Sequence, residues 1–452
     1  MNRKAASRAI RDFCANPGVK ARAAVAAVAR RRLTRESLWI VAAHALNAIA
    51  GIASIRLFTQ LAPQSTFGGA NLLIGVLTLG MHTLIAPATQ TQVRYQSFYA
   101  DRGTGDAYTW LVIRLSLACA FAMVIGMCVV LPVWPAARAG AGASVVGLLA
   151  IWILVSTAKA VLLGRLNAER RQKQYALWVA CEAVFLLLCT GGALALWPTV
   201  EGYIAGQTLA LASSMILFGG PQMWRLARAS TSERVLRGTA YKEMINYGMP
   251  FAGFALLGWL CNLSDRYVLA AYLGIAAVGQ YTASFAIASR LPGLAAGLLT
   301  DILRPVLFEL ENRSDTANVD RLFIVWLAVL GAVSTMLIIL LALFGNIVAR
   351  ILLAESYRVN APEIMCWIAV GYGCTNLAQV IEIRVLALGA SRALLWSKTA
   401  GAVANLAFAV YFISLHGVVG AAQANAAGQA IQLLTTVAIL TSIRRRVVPA
   451  HP

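Results

Sequence analysis

Twelve apolar runs of about 20 residues, each long enough to cross a bilayer, follow one another along this 452-residue chain. They begin near Ser37, Gly68, Thr109, Ala143, Ala176, Glu201, Ile245, Ala276, Leu322, Pro362, Ser391 and Gly417. Hydrocarbon offers no partner to a backbone N–H or C=O, so a spanning segment closes its own hydrogen bonds as a helix or shares them in a barrel. The runs are continuously apolar rather than alternating, which selects helices. No long polar segment separates any two of them, so a globular extramembrane domain is excluded. The expected fold is an all-α polytopic membrane protein with about 12 transmembrane helices. Composition agrees, because only 12% of residues are charged, against about 25% in a soluble domain.

The net charge of +20 would suit nucleic acid, but its distribution argues against that partner. Of 38 Lys and Arg, 29 fall in the termini and the even-numbered connections, 3 (Arg138, Arg350, Arg358) in the odd ones, and 6 inside spans. This alternation is the positive-inside pattern; it places both termini in the cytoplasm and the basic surface against anionic membrane lipid. The tail 1–36 is Ala/Arg-rich, nearly free of acids, and lacks the apolar core of a secretory signal. A basic helix on the inner leaflet, a disordered or over-extended start, and an organelle transit peptide are the readings it leaves open. The cysteines form no CxxC pair and read as small buried hydrophobes. No metal cluster or nucleophile motif stands out, and there is no GxxxxGK[ST]. ATP hydrolysis is therefore not the energy source, and neither a cofactor nor catalysis is expected.

The chain repeats itself weakly. Ser54 and Arg56 near the end of the first run match Ser264 and Arg266 in the seventh, and Gly68 matches Gly279 with one residue of slack. Pro87 pairs with Pro305, and "AGQ" occurs at 205–207 and 427–429. Their common order implies two six-helix lobes in parallel orientation, with a path between them. The expected division is a basic tail 1–36, a first lobe 37–225, a linker 226–244, a second lobe 245–443 and a basic tail 444–452.

Six bases lie inside the spans: Arg56, Arg114, Lys159, Arg266, Arg290 and Arg384, with only three acids, Glu182, Asp265 and Glu382. Each base at a helix centre costs roughly 2.5–3.5 kcal/mol on insertion scales, so they cannot all face lipid. Arg290 is the deepest, in "FAIASRLPGL", where Pro292 frees carbonyls nearby. Asp265 and Arg266, in "LCNLSDRYVLAAYLG", project about 100° apart and cannot form an ideal pair; Asn262 sits one turn earlier. A cationic cavity is one reading of these groups, and structural ion pairs or snorkelling near span ends is the other. The stripes Tyr372, Asn376, Gln379, Glu382 and His44, Asn47, Gly51, Ser54 read equally as interhelical glue or as polar lining. His44 and His82 could titrate near neutral pH.

The segment "YGMPFAGFALLGWLCNLSDRYVLAAYLGIAAVGQYTASFAIASRL" (247–291) resembles the seventh and eighth helices of bacterial polysaccharide flippases of the Wzx type. These belong to the multidrug/oligosaccharidyl-lipid/polysaccharide (MOP) exporter superfamily. Tyr247, Gly248 and Pro250, the Asp265–Arg266 pair, and Gly279 with Tyr281 carry the likeness, which extends over about 37–443. The resemblance implies a V-shaped, MATE-like transporter of the inner (cytoplasmic) membrane that works by alternating access. Its cargo would be an undecaprenyl-diphosphate-linked glycan for O-antigen, capsule or exopolysaccharide, with polysaccharide polymerases as partners. The superfamily also implies proton or sodium coupling, for which His44, Asp265 and Glu182 are the candidate carriers.

Three alternatives remain. A multidrug–cation antiporter of the same superfamily would need acids where the first run has Arg56. A membrane polymerase or ligase would need a sizeable outer loop, and the longest here, about 345–361, is small. A lipid II flippase usually has two further helices.

Overall fold

The computed structural model describes residues 41–130, 143–228, 241–312, 316–390 and 392–447, with Trp39 and Gly238. The basic tail 1–36, Arg138 and most of the linker lie outside these. Among the described residues, twelve helices are long and apolar enough to span a membrane. They are α1 Val41–Leu61, α2 Gln64–Asp101, α3 Gly105–Val129, α4 Ser144–Ala168, α5 Gln172–Leu196 and α6 Val200–Arg228. The second six are α7 Tyr241–Leu273, α8 Ile275–Glu311, α9 Ala317–Leu352, α10 Ala361–Ala387, α11 Ala393–His416 and α12 Val418–Ile443. Large apolar side chains point outward, among them Leu188, Ile216, Leu343 and Trp396, as a lipid-facing surface requires.

The helices alternate in direction, so all the short basic connections fall at one end of the bundle, here termed the basic end; the opposite end is termed the neutral end. α2, α8 and α9 have 38, 37 and 36 residues, about 55 Å at 1.5 Å per residue, and so run well past a hydrocarbon core of about 30 Å. At the neutral end the turns are tight: α7 and α8 are joined through Gly274 alone, whose φ of 84° an L side chain rarely adopts.

Three π-helical turns interrupt the spans, at Met81–Ile85 in α2, Met215–Gly219 in α6 and Met244–Gly248 in α7. Each ends two residues before a proline: Pro87, Pro221 and Pro250. A proline lacks the N–H its helix expects and its ring crowds the carbonyl four residues back. One extra residue in the preceding turn shifts the hydrogen-bond register and relieves that conflict. All three lie toward the basic end.

The spans pack as two six-helix sets. In the first, α3, α4 and α6 enclose a core containing Leu149, Ile153 and Ile204, and α5 lies along α6. In the second, α10 packs on α9 and α12, and α11 bridges α7 and α12. The sets meet along α2, which touches both α7 and α8.

The neutral end is closed at this seam. A Cβ on Gly68 would stand 2.1 Å from the Ile275 carbonyl oxygen, and one on Gly279 would stand 2.0 Å from that of Gln64, so α2 and α8 cross in direct backbone contact. The connection between α9 and α10 then clasps the α1–α2 turn. Tyr357 donates from its hydroxyl to the Ala62 carbonyl (2.9 Å), Arg56 Nη1 to the Leu353 carbonyl (2.5 Å), and Gln64 Nε2 to the Ser356 carbonyl (2.5 Å). Burial pushes the Tyr357 phenol above its ordinary range, so it stays a donor throughout the neutral pH region.

Candidate functional site

Between the two sets, below the closed neutral end, lie two adjoining cavities. The larger, about 470 Å³, is walled on one side by α8, whose Thr282, Phe285, Ser289, Arg290 and Gly293 recur at helical spacing. Facing them are His44 and Asn47 of α1, Asn71 of α2, Arg266 of α7 and Tyr372 of α10. The smaller, about 330 Å³, lies among α1, α4 and α5, with Asn47, Ser54, Lys159 and Glu182 as its polar lining.

Arg290 belongs to the wall of both. It reaches across from the second set to the first and lays its guanidinium over Gly51, where a Cβ would stand 2.7 Å from Cζ and Nη2. A side chain at position 51 would have to displace the guanidinium from this place. Asn376 donates from Nδ2 to the Pro292 carbonyl (3.2 Å), which ties α10 to α8 beside the arginine.

Arg266 is 9% exposed, and its Cζ lies 4.7 Å from the centroid of the Phe285 ring. Phe285 in turn meets Tyr372 edge-on at 5.8 Å. The ring supports the guanidinium face through a cation–π contact and leaves its N–H edges toward the cavity. Arg266 Nε is buried without a hydrogen-bond partner, and neither Arg266 nor Arg290 makes an ion pair among the described residues. The larger cavity thus carries two guanidinium groups and no carboxylate among its lining residues.

Asp265 does not face the cavity, contrary to a lumen-facing Asp265–Arg266 pair. It is fully buried, accepting from the Tyr281 hydroxyl at Oδ2 (2.5 Å) and from the Arg266 backbone N–H at Oδ1 (2.8 Å). The angular offset between adjacent helical residues turns one side chain to the cavity and the other into the α7–α8 contact. Lys159 does line a cavity, but Glu182 neutralises it at 2.5 Å.

Six other predicted charged and polar groups lie elsewhere. Arg56 is taken up by the Leu353 carbonyl at the neutral end, and Arg114 is exposed, lying over Trp110 outside both cavity linings. Arg384 is buried against Glu311 and Asp320 near the basic end of the second set. Glu382 pairs with Lys398 (2.7 Å) and accepts from Gln432 Nε2 (2.9 Å). Asn262 donates to the Gly258 carbonyl and accepts from Gln429, inside the second set. Gln379 is exposed and is not part of either lining. Asn71, Thr282, Phe285 and Ser289 escaped the sequence reading; stepping back from Arg290 by one and two helical turns would have reached Ala286 and Thr282.

With that geometry in place, the sequence matches the family described as "Polysaccharide biosynthesis protein" over residues 70–362. The chain belongs to that family. Its fold is that of the MOP superfamily. It is similar to an inward-facing multidrug resistance MATE family transporter, with a TM-score of 0.69 at 13% identity, covering 89% of this chain and 96% of that one. It is also similar to the lipid II flippase MurJ in an inward closed conformation, with a TM-score of 0.68 at 14% identity, covering 91% and 87%. An outward-facing MATE family transporter gives a TM-score of 0.61 at 13% identity, covering 91% and 96%. No curated protein matches the sequence. This family member is a multi-pass membrane protein with a transporter fold.

Proposed function

We propose that this polysaccharide biosynthesis family member flips an undecaprenyl-diphosphate-linked oligosaccharide between the leaflets of the cytoplasmic membrane by alternating access. The observation that carries the reading is the pair Arg266 and Arg290, neither of them in an ion pair among the described residues, in a cavity between the two six-helix sets whose lining holds no carboxylate. A buried unpaired guanidinium is costly; a ligand with two phosphate charges would offset that cost with bidentate hydrogen bonds. A cationic drug would meet repulsion there, which argues against multidrug–cation antiport.

On this reading the basic end is cytoplasmic and both termini are inside, which the charge distribution supports. The lipid tail stays in the bilayer while the diphosphate binds to the two arginines from the cytoplasmic side, since the neutral end is closed by the α2–α8 crossing and the 353–359 clasp. Flipping then needs that seam to part. Moving two negative charges outward across an inside-negative membrane is favoured by about 2.3 kcal/mol per charge per 100 mV. Proton or sodium coupling would reset the carrier, and His44, exposed in the larger cavity, is the coupling candidate most open to solvent.

The test is complementation of strains that each lack one defined flippase. Restored export of one glycan class, lost in Arg290→Ala, is the expected result. Restoration of peptidoglycan-precursor export alone would reassign the cargo to lipid II, and rescue of drug efflux alone would sink the proposal. Cysteine labelling from outside at His416 but not at Arg170 checks the orientation.

A further inference from the structure

The two cavities that share Arg290 differ in electrical character. The larger holds two guanidinium groups and no acid in its lining. The smaller holds one acid and one base, Lys159 and Glu182, joined at 2.5 Å, so its own charge is zero apart from the shared Arg290. A second anionic group gains nothing from such a pair. A hydroxyl-rich neutral group does, because the ammonium keeps N–H donors and the carboxylate keeps lone pairs beyond the one bond they share.

We propose that the smaller cavity is a saccharide subsite that takes the first sugar of the cargo, while the larger takes the diphosphate. The inference rests on the proposed cargo and adds where its parts sit. Three features support it. The pair is part-buried, with side-chain exposures of 19% and 17%, and both residues line the cavity. The carboxylate is held in place: Ser214 Oγ lies 3.2 Å from Glu182 Oε2 and accepts from Trp178 Nε1 at 3.3 Å. The remaining wall mixes polar groups (Asn47, Ser54) with apolar ones (Leu163, Val179, Leu186), as the polar edge and apolar face of a pyranose ring require. Arg290, lying over Gly51 between the cavities, meets the group where phosphate joins sugar. The division of labour follows: Arg266 and Arg290 hold any polyprenyl diphosphate, and Glu182 with Lys159 distinguishes a glycosylated one.

Binding to the purified full-length protein in nanodiscs tests this, with two probes: a polyprenyl diphosphate and the same lipid carrying one N-acetylhexosamine. The wild type is expected to bind the glycosylated lipid about tenfold more tightly, as one or two charge-assisted hydrogen bonds would provide. The double variant Lys159→Met/Glu182→Gln, which strands no buried charge, should lose that preference and keep its affinity for the bare diphosphate. Ala183→Phe, which fills the smaller cavity while leaving Lys159 and Glu182 in the sequence, should do the same and guards against misfolding of the double variant. A preference that survives both changes overturns the subsite, as does a wild type that binds the two lipids equally. A protein that binds neither lipid overturns the cargo itself, and the subsite with it.

Discussion

Arg56 and Arg266 occupy matching places in the two six-helix sets, each two residues after a serine that donates to the carbonyl four residues back: Ser54 to Ala50 (2.7 Å) and Ser264 to Leu260 (2.6 Å). Their fates differ. Arg56 donates to a backbone carbonyl of the opposite set and helps to close the neutral end, whereas Arg266 lies over an aromatic ring with Nε unpaired at the edge of a cavity. Matching positions hold a seam contact in one set and a cavity-lining group in the other. The difference teaches that matching places in the two sets do not fix a base's role: Arg56 finds a carbonyl and holds the seam, whereas Arg266 keeps an unpaired Nε and lines a cavity.

The comparison breaks first at the cavity. Arg290→Ala and Arg266→Ala should each lower glycan export by roughly 100-fold, the loss of about 3 kcal/mol of charge-assisted bonding to phosphate, with normal protein abundance. Lysine at either position should restore only part, since it keeps the charge but not the fork. Export assays with membrane immunoblots measure both quantities. Normal export in both alanine variants would remove the cationic path altogether.

The seam comes next. Gly279→Ala places a methyl 2.0 Å from the Gln64 carbonyl oxygen, which nothing but backbone movement can relieve. Overpacking of that kind costs about 1–3 kcal/mol, so the closed form should lose population several-fold to over 100-fold. A cysteine placed at Thr282 should then label faster with an impermeant maleimide applied from outside. Arg56→Gln should move the same signal in the same direction but less, by the roughly 1 kcal/mol of one hydrogen bond, and should leave cargo affinity unchanged. If Arg56→Gln instead weakens binding as Arg266→Gln does, the two arginines share one role and the contrast fails.

Much of this fold was legible in the sequence, and the reason is physical: a bilayer forces each span to declare itself as a continuous apolar run. All twelve spans and the paired glycines Gly68 and Gly279 could be located, although not the fact that those glycines touch each other. The polar basic-end extensions of α2 and α8 carry no hydropathy signal and were invisible. The site was legible in part. Arg290 is deep and next to a proline, so depth alone marked it. Arg384, Glu382 and Lys159 have partners from distant helices, Glu311, Lys398 and Glu182 respectively, and spacing along one chain does not encode which helix will stand opposite. Asp265 is the clearest case. The sequence set it beside Arg266 as a lumen-facing group, and its partners are the Tyr281 hydroxyl, one helix away, and the Arg266 backbone N–H.

That placement sets the smallest expected effect. If Asp265 serves to join α7 to α8, Asp265→Asn should be nearly silent. The amide oxygen can accept from the Arg266 N–H as Oδ1 does now, and the amide N–H can donate to the Tyr281 hydroxyl, which simply reverses the direction of that bond. Asp265→Ala should cost more, about 1–3 kcal/mol, because it strands the Tyr281 hydroxyl in a site with no exposed surface. Removing Tyr281 as well, by Tyr281→Phe, should recover most of that loss, since both members of the buried pair are then gone. Abundance and thermal stability of the three proteins in detergent measure this directly. The competing role, a coupling proton on Asp265, makes the opposite forecast for the mild change: an Asp265→Asn protein that is abundant and stable, yet whose transport no longer responds to a proton ionophore. Its burial against Tyr281, outside the lining of both cavities, favours the joining role, because a carrier of protons needs a path to water and Asp265 is fully buried.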